Sequence, residues 1–215
     1  YSAGAVQHST KQKMWEGRTS GTTGEQLALI RNRLLEIINL DKDNLVLDLH
    51  ARTGFITFEA VRRVPEGSVW ALAHSDRDYE TIKTLAQRFP PLKQPQIIQT
   101  CFDTCIEDIK REAGEDVLFD AIVGRNVLGL NSDKKSFVTT ISSCLADNGT
   151  FALAGTVHSA SSRIADFITF KRAADKKKFN TAEDALFSDV QNHMVNWSTA
   201  TIKEEFNRSD RFTME

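Results

Sequence analysis

The chain has 215 residues, of which 40% are hydrophobic and 26% are charged. This length and balance are typical of one soluble α/β domain with an added segment. The formal net charge is −2, so no overall basic field indicates that this domain contacts nucleic acid. No apolar run approaches the roughly 18 residues of a membrane span, and no signal peptide is visible. We therefore expect a cytoplasmic protein without membrane contact.

The chain contains three cysteines, an odd number without a paired framework, which is typical of a reducing compartment. Cys101 and Cys105 have no second pair of ligands near them in the sequence, so they do not form the usual zinc pattern. We expect no metal site and interpret these cysteines as small buried side chains.

The N-terminal residues 1–21 are polar and carry few regular signals, so we interpret them as a linker or N-terminal extension. Residues 22–215 are interpreted as one domain. Its first helix is predicted to begin with a capping box, in which Thr22 is the N-cap and Glu25 is the return partner, and to end near Asn39. The apolar face of this helix has spacings of three and four residues and consists of Leu27, Ile30, Leu34, Ile37 and Ile38.

Five strands are predicted next, with helices between most of them. The strands are Leu45–Leu49, Val69–Ala73, Gln96–Thr100, Phe119–Gly124 and Thr150–Thr156. The helices are Phe55–Val64, Arg77–Phe89 and Lys134–Ala146, and a turn at Asn148-Gly149 leads into the fifth strand. The first strand is nearly all apolar, as a strand buried on both faces should be. This alternation predicts an α/β fold with a doubly wound, mainly parallel sheet and the first strand in its middle.

The pattern changes after Thr156. Residues 159–192 are predicted to be helical, and their basic run at 171–179 is interpreted as a solvated helix face. A further helix is predicted after Ser198, which is a plausible cap. The last residues, RFTME at 211–215, are typical of the start of another strand. We therefore expect a helical insertion after the fifth strand and a C-terminus that is truncated relative to a complete sheet.

The loop after the first strand is where a nucleotide-like cofactor usually binds in such a fold. It reads His50-Ala51-Arg52-Thr53-Gly54, so only one glycine is present. The dinucleotide pattern G-x-G-x-x-G is missing, and the phosphate-loop pattern G-x-x-x-x-G-K-[ST] occurs nowhere in the chain. A dehydrogenase or an ATPase built on this loop is therefore not expected.

The spacing in this region resembles motif I of class I S-adenosylmethionine-dependent methyltransferases, a hydrophobic strand that ends in Asp-x-Gly-x-Gly-x-Gly. Asp48 matches the acidic residue, His50 and Arg52 stand at the first two glycine positions, and Gly54 stands at the third. PEGSVWALAHSD resembles the second strand of that family, FDAIVGRNVL the fourth strand and its loop, and ISSCLADNGTFALAGTV the region of the fifth strand. The matches cover roughly residues 22–156. They imply a Rossmann-like class I methyltransferase fold and S-adenosylmethionine as the cofactor.

The resemblance also implies the positions of a cofactor site, which are Asp48, His50, Ala51, Arg52, Thr53, Gly54, Ala73, His74 and Asp103. In the family, an acidic residue at the end of the second strand accepts hydrogen bonds from the ribose hydroxyls, and Ala73 stands there in this chain. Asp103 stands where the family contacts adenine. His74 and Asp76 are the nearby residues considered as substitutes for the missing ribose acceptor.

Bulky side chains replace glycines that would let the backbone approach the cofactor. Arg52 also places a positive charge near the cationic sulfonium, unless it points to solvent or binds the methionine carboxylate. No catalytic residue is assigned. Arg125 and Asn126 are candidates because the fourth strand ends at the crevice of the sheet. The N/D-P-P-Y/F signature of amino-group methyltransferases is absent, so the methyl acceptor is not identified.

A narrower resemblance rests on LVLDL, TGFITFEAVRRVPEGSVWALA, FDAIVGRN and MVNW. This combination is similar to the C-terminal methyltransferase-like region of cyanobacterial fusion proteins, in which an AAA+ ATPase of the replication-associated recombination protein A type comes first. The linker-like start without an initiator Met agrees with a C-terminal piece. The resemblance implies that a preceding ATPase region of the same polypeptide is the partner, in a protein of DNA recombination or replication.

Three functional hypotheses are compatible with these residues. The first is a methyltransferase-like accessory module whose cofactor loop is degenerate. The second is an active methyltransferase with an atypical loop and an unidentified acceptor. The third is a module that binds an anion or a nucleotide through His50, Arg52 and a helix N-terminus at Thr53-Gly54.

Overall fold

The computed structural model describes residues 22–208, without the side chains of residues 22 and 23. The α-helices in this range are α1 (Thr22–Ile38), α2 (Thr57–Arg63), α3 (Asp76–Ala86), α4 (Cys105–Ala113), α5 (Lys134–Ser142), α6 (Ala173–Ser188) and α7 (Thr199–Arg208). The strands are β1 (Leu45–Asp48), β2 (Ser68–Ala73), β3 (Gln96–Gln99), β4 (Phe119–Arg125) and β5 (Leu145–Ala154). The linker expected at 1–21 and the strand start expected at 211–215 lie outside the described residues.

The five strands form one parallel sheet in the order β3-β2-β1-β4-β5. Strand β1 lies in the middle, where Val46 is opposite Val69 of β2 and Ala121 of β4. The predicted α/β fold with a parallel sheet and a central first strand is therefore confirmed. The chain winds from β1 to β3 on one side and then crosses to β4. The switch point of the winding, where such folds bind ligands, lies between β1 and β4.

Helices cover both faces of the sheet because successive side chains of each buried strand point to opposite faces. Val46 packs in a cluster with Leu35 of α1 and Val61 of α2. Its neighbour Leu47 packs on the other face, in the cluster that contains Ile109 of α4 and Ile141 of α5. The apolar composition of β1 is thus explained by burial on both sides.

The fifth strand begins earlier than predicted. Helix α5 ends at Ser142 and not at Ala146, and Leu145 already pairs with Phe119 of β4. The register between β4 and β5 then shifts, and Asn148 adopts a left-handed backbone with φ 64°. The expected turn at Asn148-Gly149 is therefore an irregularity inside the strand. Leu145 is buried as expected, but it belongs to a strand and not to a helix. Its spacing from other apolar residues did not distinguish the two.

Three helices also differ from the prediction. Helix α4 was not predicted, because its only buried side chains are those of Cys105 and Ile109 in an otherwise polar segment. Helix α2 begins at Thr57 because the preceding residues form turns. In α1, Leu35 is fully buried and Ile37 is 52% exposed, so the core-facing stripe is rotated from the expected one. Thr22 was predicted as the N-cap, but it is already the first residue of α1, and its side chain is not described.

The region after β5 is partly helical. Two 3₁₀ turns, His158–Ala160 and Ile164–Asp166, precede α6, and α7 follows. The lysines of the basic run, at 176–178, are exposed, as expected for a solvated face. That this region is an insertion in a longer sheet stays a prediction. Within residues 22–208, no helix combines the length and the apolar character needed to cross a membrane.

Candidate functional site

An open pocket of about 490 Å³ lies at the carboxyl edge of the sheet. The loops after β1, β2, β3 and β4 and the first turn of α3 contribute its lining residues, which are His50, Arg52, His74, Asp78, Cys101, Phe102 and Leu130. Parallel strands bring these loops together because their carboxyl ends meet at one edge. Three of the predicted site residues, His50, Arg52 and His74, line this pocket.

Asp48 lies beneath the loop and not in the pocket lining. It is completely buried, and its carboxylate accepts hydrogen bonds from the His50 backbone N–H at 3.2 Å and from Thr57 Oγ1 at 2.7 Å. The prediction that Asp48 accepts a bond from the following loop backbone is confirmed. Burial raises the pKa of Asp48 to about 6, although these hydrogen bonds favour the charged form and oppose the rise. Asp48 therefore joins the end of β1, the loop and the start of α2.

The loop backbone keeps a conformation that suits glycine. Arg52 has φ 46° and Gly54 has φ 75°, so two positions that are glycines in the family pattern adopt left-handed angles. For a residue with a Cβ, such as Arg52, this conformation typically destabilises the fold by about 1 kcal/mol or more. At Gly54 no Cβ fits, because it would lie 2.2 Å from the Phe58 ring. Ala51 is buried and its N–H donates to the Leu72 carbonyl at 3.0 Å, so the loop is tied to β2.

His74 and His50 form an aromatic wall of the pocket with Phe102. The His74 ring stacks on Phe102 with centroids 3.7 Å apart and an interplanar angle of 17°, and His50 lies 5.6 Å from His74. The two ring nitrogens of His74 face the Leu49 carbonyl at 2.7 Å and the Thr100 carbonyl at 3.1 Å. This ring therefore bridges the loops after β1 and β3.

Burial lowers the pKa of both histidines, that of His50 to about 4. His50 is therefore neutral near pH 7. Its Nδ1 lies 3.1 Å from the carbonyl oxygen of Arg125, so we assign the single ring proton to Nδ1 and leave Nε2 as an acceptor. The histidines thus add polar and aromatic surface to the pocket, and His50 adds no charge.

The position of the expected ribose acceptor is apolar. Ala73 is completely buried in a cluster with Ala51 and Ile82, and an alanine side chain accepts no hydrogen bond. The substitute considered from sequence, Asp76, is exposed, and its carboxylate accepts from Gln99 Nε2 at 2.6 Å. Asp78, two residues further on, is the acid that lines the pocket. Asp78 was not predicted as a site residue. The signal that could have indicated it is Ser75, an N-cap whose side chain accepts a hydrogen bond from the Asp78 N–H and so marks the start of a helix beside the site.

The remaining predicted positions, with Arg125 and Asn126 among them, are not part of the pocket lining. Asp103 is exposed in the loop before α4 and does not line it, whereas its neighbour Phe102 does. Asn126 follows β4 with φ 58°, and its N–H donates to the Ala154 carbonyl at 2.7 Å. Thr53 and Gly54 lie in the turn before α2 and do not line the pocket either.

Arg52 lines this site, and Arg125 adjoins it through its carbonyl oxygen, which lies 3.1 Å from His50 Nδ1. Burial lowers the pKa of Arg125, and the charge of Arg52 lowers it further. In the part of the chain that the structure describes, neither arginine forms an ion pair with a carboxylate. The residues present therefore fit S-adenosylmethionine poorly at two points: the position that is acidic in the family is the buried Ala73, and Arg52 places a positive charge in the lining of a pocket for a cationic cofactor.

The sequence matches no protein-family model and no curated protein. The structure is similar to that of mycolic acid cyclopropane synthase CmaA1 complexed with SAH and CTAB, with a TM-score of 0.61 and 14% identity over 90% of this chain and 63% of that one. It is also similar to the plantazolicin methyltransferase BamL in complex with a desmethyl-plantazolicin analogue and SAH, with a TM-score of 0.59 and 13% identity over 93% of this chain and 67% of that one.

A third similar structure is coclaurine N-methyltransferase bound to N-methylheliamine and SAH, with a TM-score of 0.52 and 18% identity over 62% of this chain. The present chain spans 37% of that protein and 63% of the cyclopropane synthase. Identities this low establish similarity of fold and not of activity. With its central β1, its parallel strand order and its loop at the switch point, the chain has the fold of the class I S-adenosylmethionine-dependent methyltransferases.

Proposed function

We propose that this chain is a methyltransferase-like domain with an altered cofactor pocket, and that it acts as an accessory module of a larger recombination or replication protein. In this proposal the pocket binds S-adenosylmethionine weakly or not at all. The observation that carries the proposal is the burial of Ala73 in an apolar cluster at the end of β2. The accessory role is supported by the resemblance to the C-terminal region of ATPase fusion proteins, whose preceding ATPase region would be the partner.

The magnitudes favour the missing acceptor over charge repulsion as the main cause of weak binding. A hydrogen bond to a charged group contributes about 1.5–3 kcal/mol, so losing a carboxylate that binds ribose weakens binding by about one to two orders of magnitude. Arg52 is exposed, and water screens its repulsion of a sulfonium to about 1 kcal/mol or less. His50 adds bulk where the family has a glycine, which keeps a ligand away from the backbone.

A second candidate function is active methylation of an unidentified acceptor, with Arg125 and Asn126 as the candidate catalytic residues. The observation that favours it is the Asp78 carboxylate, which lines the pocket one helical turn after β2. A carboxylate there could accept hydrogen bonds from ribose hydroxyls in place of the absent residue at position 73. The open volume of about 490 Å³ is also sufficient for a small-molecule ligand.

Calorimetric titration with S-adenosylmethionine and S-adenosylhomocysteine tests the proposal. We expect dissociation constants above about 100 μM, which is weaker than roughly −5.5 kcal/mol. Micromolar binding by the natural chain would contradict the proposal and favour the active enzyme. In that case Asp78→Asn should weaken binding by about tenfold or more, whereas Asp76→Asn, two residues away and outside the pocket, should not.

A gain-of-binding variant tests the cause of weak binding. His50→Gly, Arg52→Gly and Ala73→Asp together reopen the loop and restore the acidic residue. We expect at least about tenfold tighter binding of S-adenosylhomocysteine. Because position 73 is buried, folding is checked by circular dichroism, and the double variant His50→Gly/Arg52→Gly serves as the control without a buried carboxylate. A folded triple variant that binds no better than the double variant would show that the acceptor at position 73 is not the cause.

A further inference from the structure

The charge of the pocket differs from one end to the other. After β1 stands Arg52, which lines the pocket, and at the end of β4 stands Arg125, whose carbonyl oxygen lies 3.1 Å from Nδ1 of the lining residue His50. On the side of β2 stands the carboxylate of Asp78. Phe102, in the loop after β3, stacks on His74 and forms the aromatic wall of the pocket beyond Asp78. Within the described residues no ion pair joins Asp78 to either arginine.

Among residues 22–208, no carboxylate forms an ion pair with Arg52 or Arg125. Arg125 is half-buried, and a guanidinium that is partly removed from water without a carboxylate costs free energy. A second guanidinium nearby increases that cost. An anion that enters offsets both the desolvation of Arg125 and the repulsion between the two guanidinium groups. Phosphate oxygens match the planar donor arrangement of arginine. The helix end predicted at Thr53-Gly54 does not take part, because α2 begins at Thr57 and has only seven residues.

The other walls fit the remaining parts of a nucleotide. An aromatic face that borders the pocket stacks on a planar base with any hydrogen-bond pattern. A carboxylate accepts hydrogen bonds from ribose hydroxyls, as an acidic residue does in dinucleotide-binding folds. Asp78 lies in the helix that follows β2, between the loop of Phe102 after β3 and the loop of Arg52 after β1. The order of elements along the sheet edge is therefore base, ribose and phosphate.

We propose that this pocket binds a mononucleotide, with its phosphates at Arg52 on the side next to Arg125, its ribose at Asp78 and its base against Phe102. The inference rests on the proposed function, because it assigns another ligand to the pocket that has lost the features for S-adenosylmethionine. Both ligands contain a ribose, and they differ in the charge beyond it. The cationic end of the pocket selects the phosphate and disfavours the sulfonium.

Titration of the natural chain with adenosine diphosphate, adenosine and inorganic phosphate, in a buffer without phosphate, tests this inference. We expect adenosine diphosphate to bind at least about tenfold tighter than adenosine or inorganic phosphate, because only the diphosphate nucleotide uses all three walls. Equal affinities for the nucleotide and the nucleoside would overturn the role of the arginines. Equal affinities for the nucleotide and inorganic phosphate would overturn the role of the base.

Variants locate the site. Arg52→Ala and Arg125→Gln should each weaken binding of adenosine diphosphate at least about fivefold. Arg62→Ala is the matched control, since Arg62 is an exposed arginine of α2 that pairs with Glu59 away from the pocket. An equal effect of Arg52→Ala and Arg62→Ala would contradict the proposal. Arg52 is exposed, so its variant remains informative even if Arg125→Gln fails to fold.

The outcome for S-adenosylmethionine is separate. Arg52→Ala should leave its binding unchanged or strengthen it, the opposite of its effect on adenosine diphosphate. If neither ligand binds, the nucleotide site is refuted and the altered-pocket proposal stands. If S-adenosylhomocysteine binds at micromolar concentration, the altered-pocket proposal fails whatever adenosine diphosphate does.

Discussion

Asp48 is an ionisable group that the fold holds in an unfavourable environment. Its folded pKa of about 6 lies above the ordinary value of 3.8 because burial penalises the charged carboxylate. A carboxyl group with a raised folded pKa contributes stability that is fully present below its unfolded pKa. That contribution is lost as the pH rises through the folded pKa. For Asp48 the pH window therefore runs from about 4 to about 6.

The variant Asp48→Asn tests this sign. An asparagine does not titrate, so the free energy of unfolding of the variant should gain on that of the natural chain as the pH rises. We expect the gain between pH 4 and pH 8 to be about 2 kcal/mol. Urea unfolding at both pH values measures it, and Asp116→Asn, which changes an exposed carboxylate in the turn before β4, is the control. A difference between Asp48→Asn and the natural chain that does not change with pH would show that Asp48 does not titrate abnormally.

Arg52 keeps the backbone conformation of a glycine in the family motif, although it carries a long charged side chain. Its φ of 46° is the left-handed conformation that glycine adopts at no steric cost. The hydrogen bonds around it, from Gly54 N–H to the Ala51 carbonyl at 2.7 Å and from Ala51 N–H to β2, hold the turn in place. The surrounding contacts therefore determine the backbone angle, and the side chain at position 52 lines the pocket.

At the scale of elements, the loop after β1 depends on its close packing against α2. Gly54 has φ 75°, and the Phe58 ring, one turn later, occupies the space that a side chain at position 54 would need. Phe58 in turn stacks on Phe89 with centroids 5.3 Å apart. The surviving glycine of the motif is thus required by helix packing, whether or not a cofactor binds.

Gly54→Ala should therefore destabilise the fold by about 2–4 kcal/mol, from the strained backbone and the overlap with the ring. A double-mutant cycle with Phe58→Leu separates the two causes, because the smaller side chain removes the overlap and leaves the backbone strain. We expect Gly54→Ala to cost at least about 1 kcal/mol less in the Phe58→Leu background. Equal costs in both backgrounds would refute the packing explanation. Thermal unfolding followed by circular dichroism gives these values.

At the scale of the whole molecule, the segment after β5 is attached to the core of the sheet. Trp197 and Phe206 are buried in the same cluster as Leu47 of the central strand, and Phe206 lies 5.3 Å from the Phe151 ring of β5. Lys134 of α5 donates to the His193 carbonyl at 2.8 Å. These contacts attach the segment from His193 to Phe206 to the sheet, and the assignment of residues 22–215 to one domain stays a prediction.

Trp197→Ala tests that prediction. Removing a buried tryptophan typically costs about 3–5 kcal/mol. If the segment belongs to one domain, the free energy of unfolding of the whole sheet should fall by that amount, and the sheet should unfold in a single transition with a lower midpoint. Val190→Ala, in a side chain that is 80% exposed, is the control and should have almost no effect. An unchanged midpoint for the sheet in Trp197→Ala would show that the segment unfolds independently of it.

The sequence by itself determined the parallel sheet and its central strand. Strands buried on both faces are apolar along their whole length, and helices between them enforce parallel crossovers, so Leu45–Leu49 marks the middle of the sheet without tertiary information. The place of the candidate site was predicted as well, because the loop from His50 to Gly54 directly continues that strand. The spacing from Asp48 to Gly54 resembles the family motif although two of its glycines are replaced.

Only the tertiary structure decided what the pocket contains. Asp78 and Phe102 join His50 because loops far apart in sequence converge at the carboxyl edge of the sheet. Spacing along one segment does not encode that convergence. The start of β5 was likewise decided by pairing of Leu145 with Phe119, since an apolar residue fits a helix or a strand equally well until its partner is present. Local patterns report which face of an element is buried, whereas contacts between elements depend on free energies that arise only when the whole chain is folded.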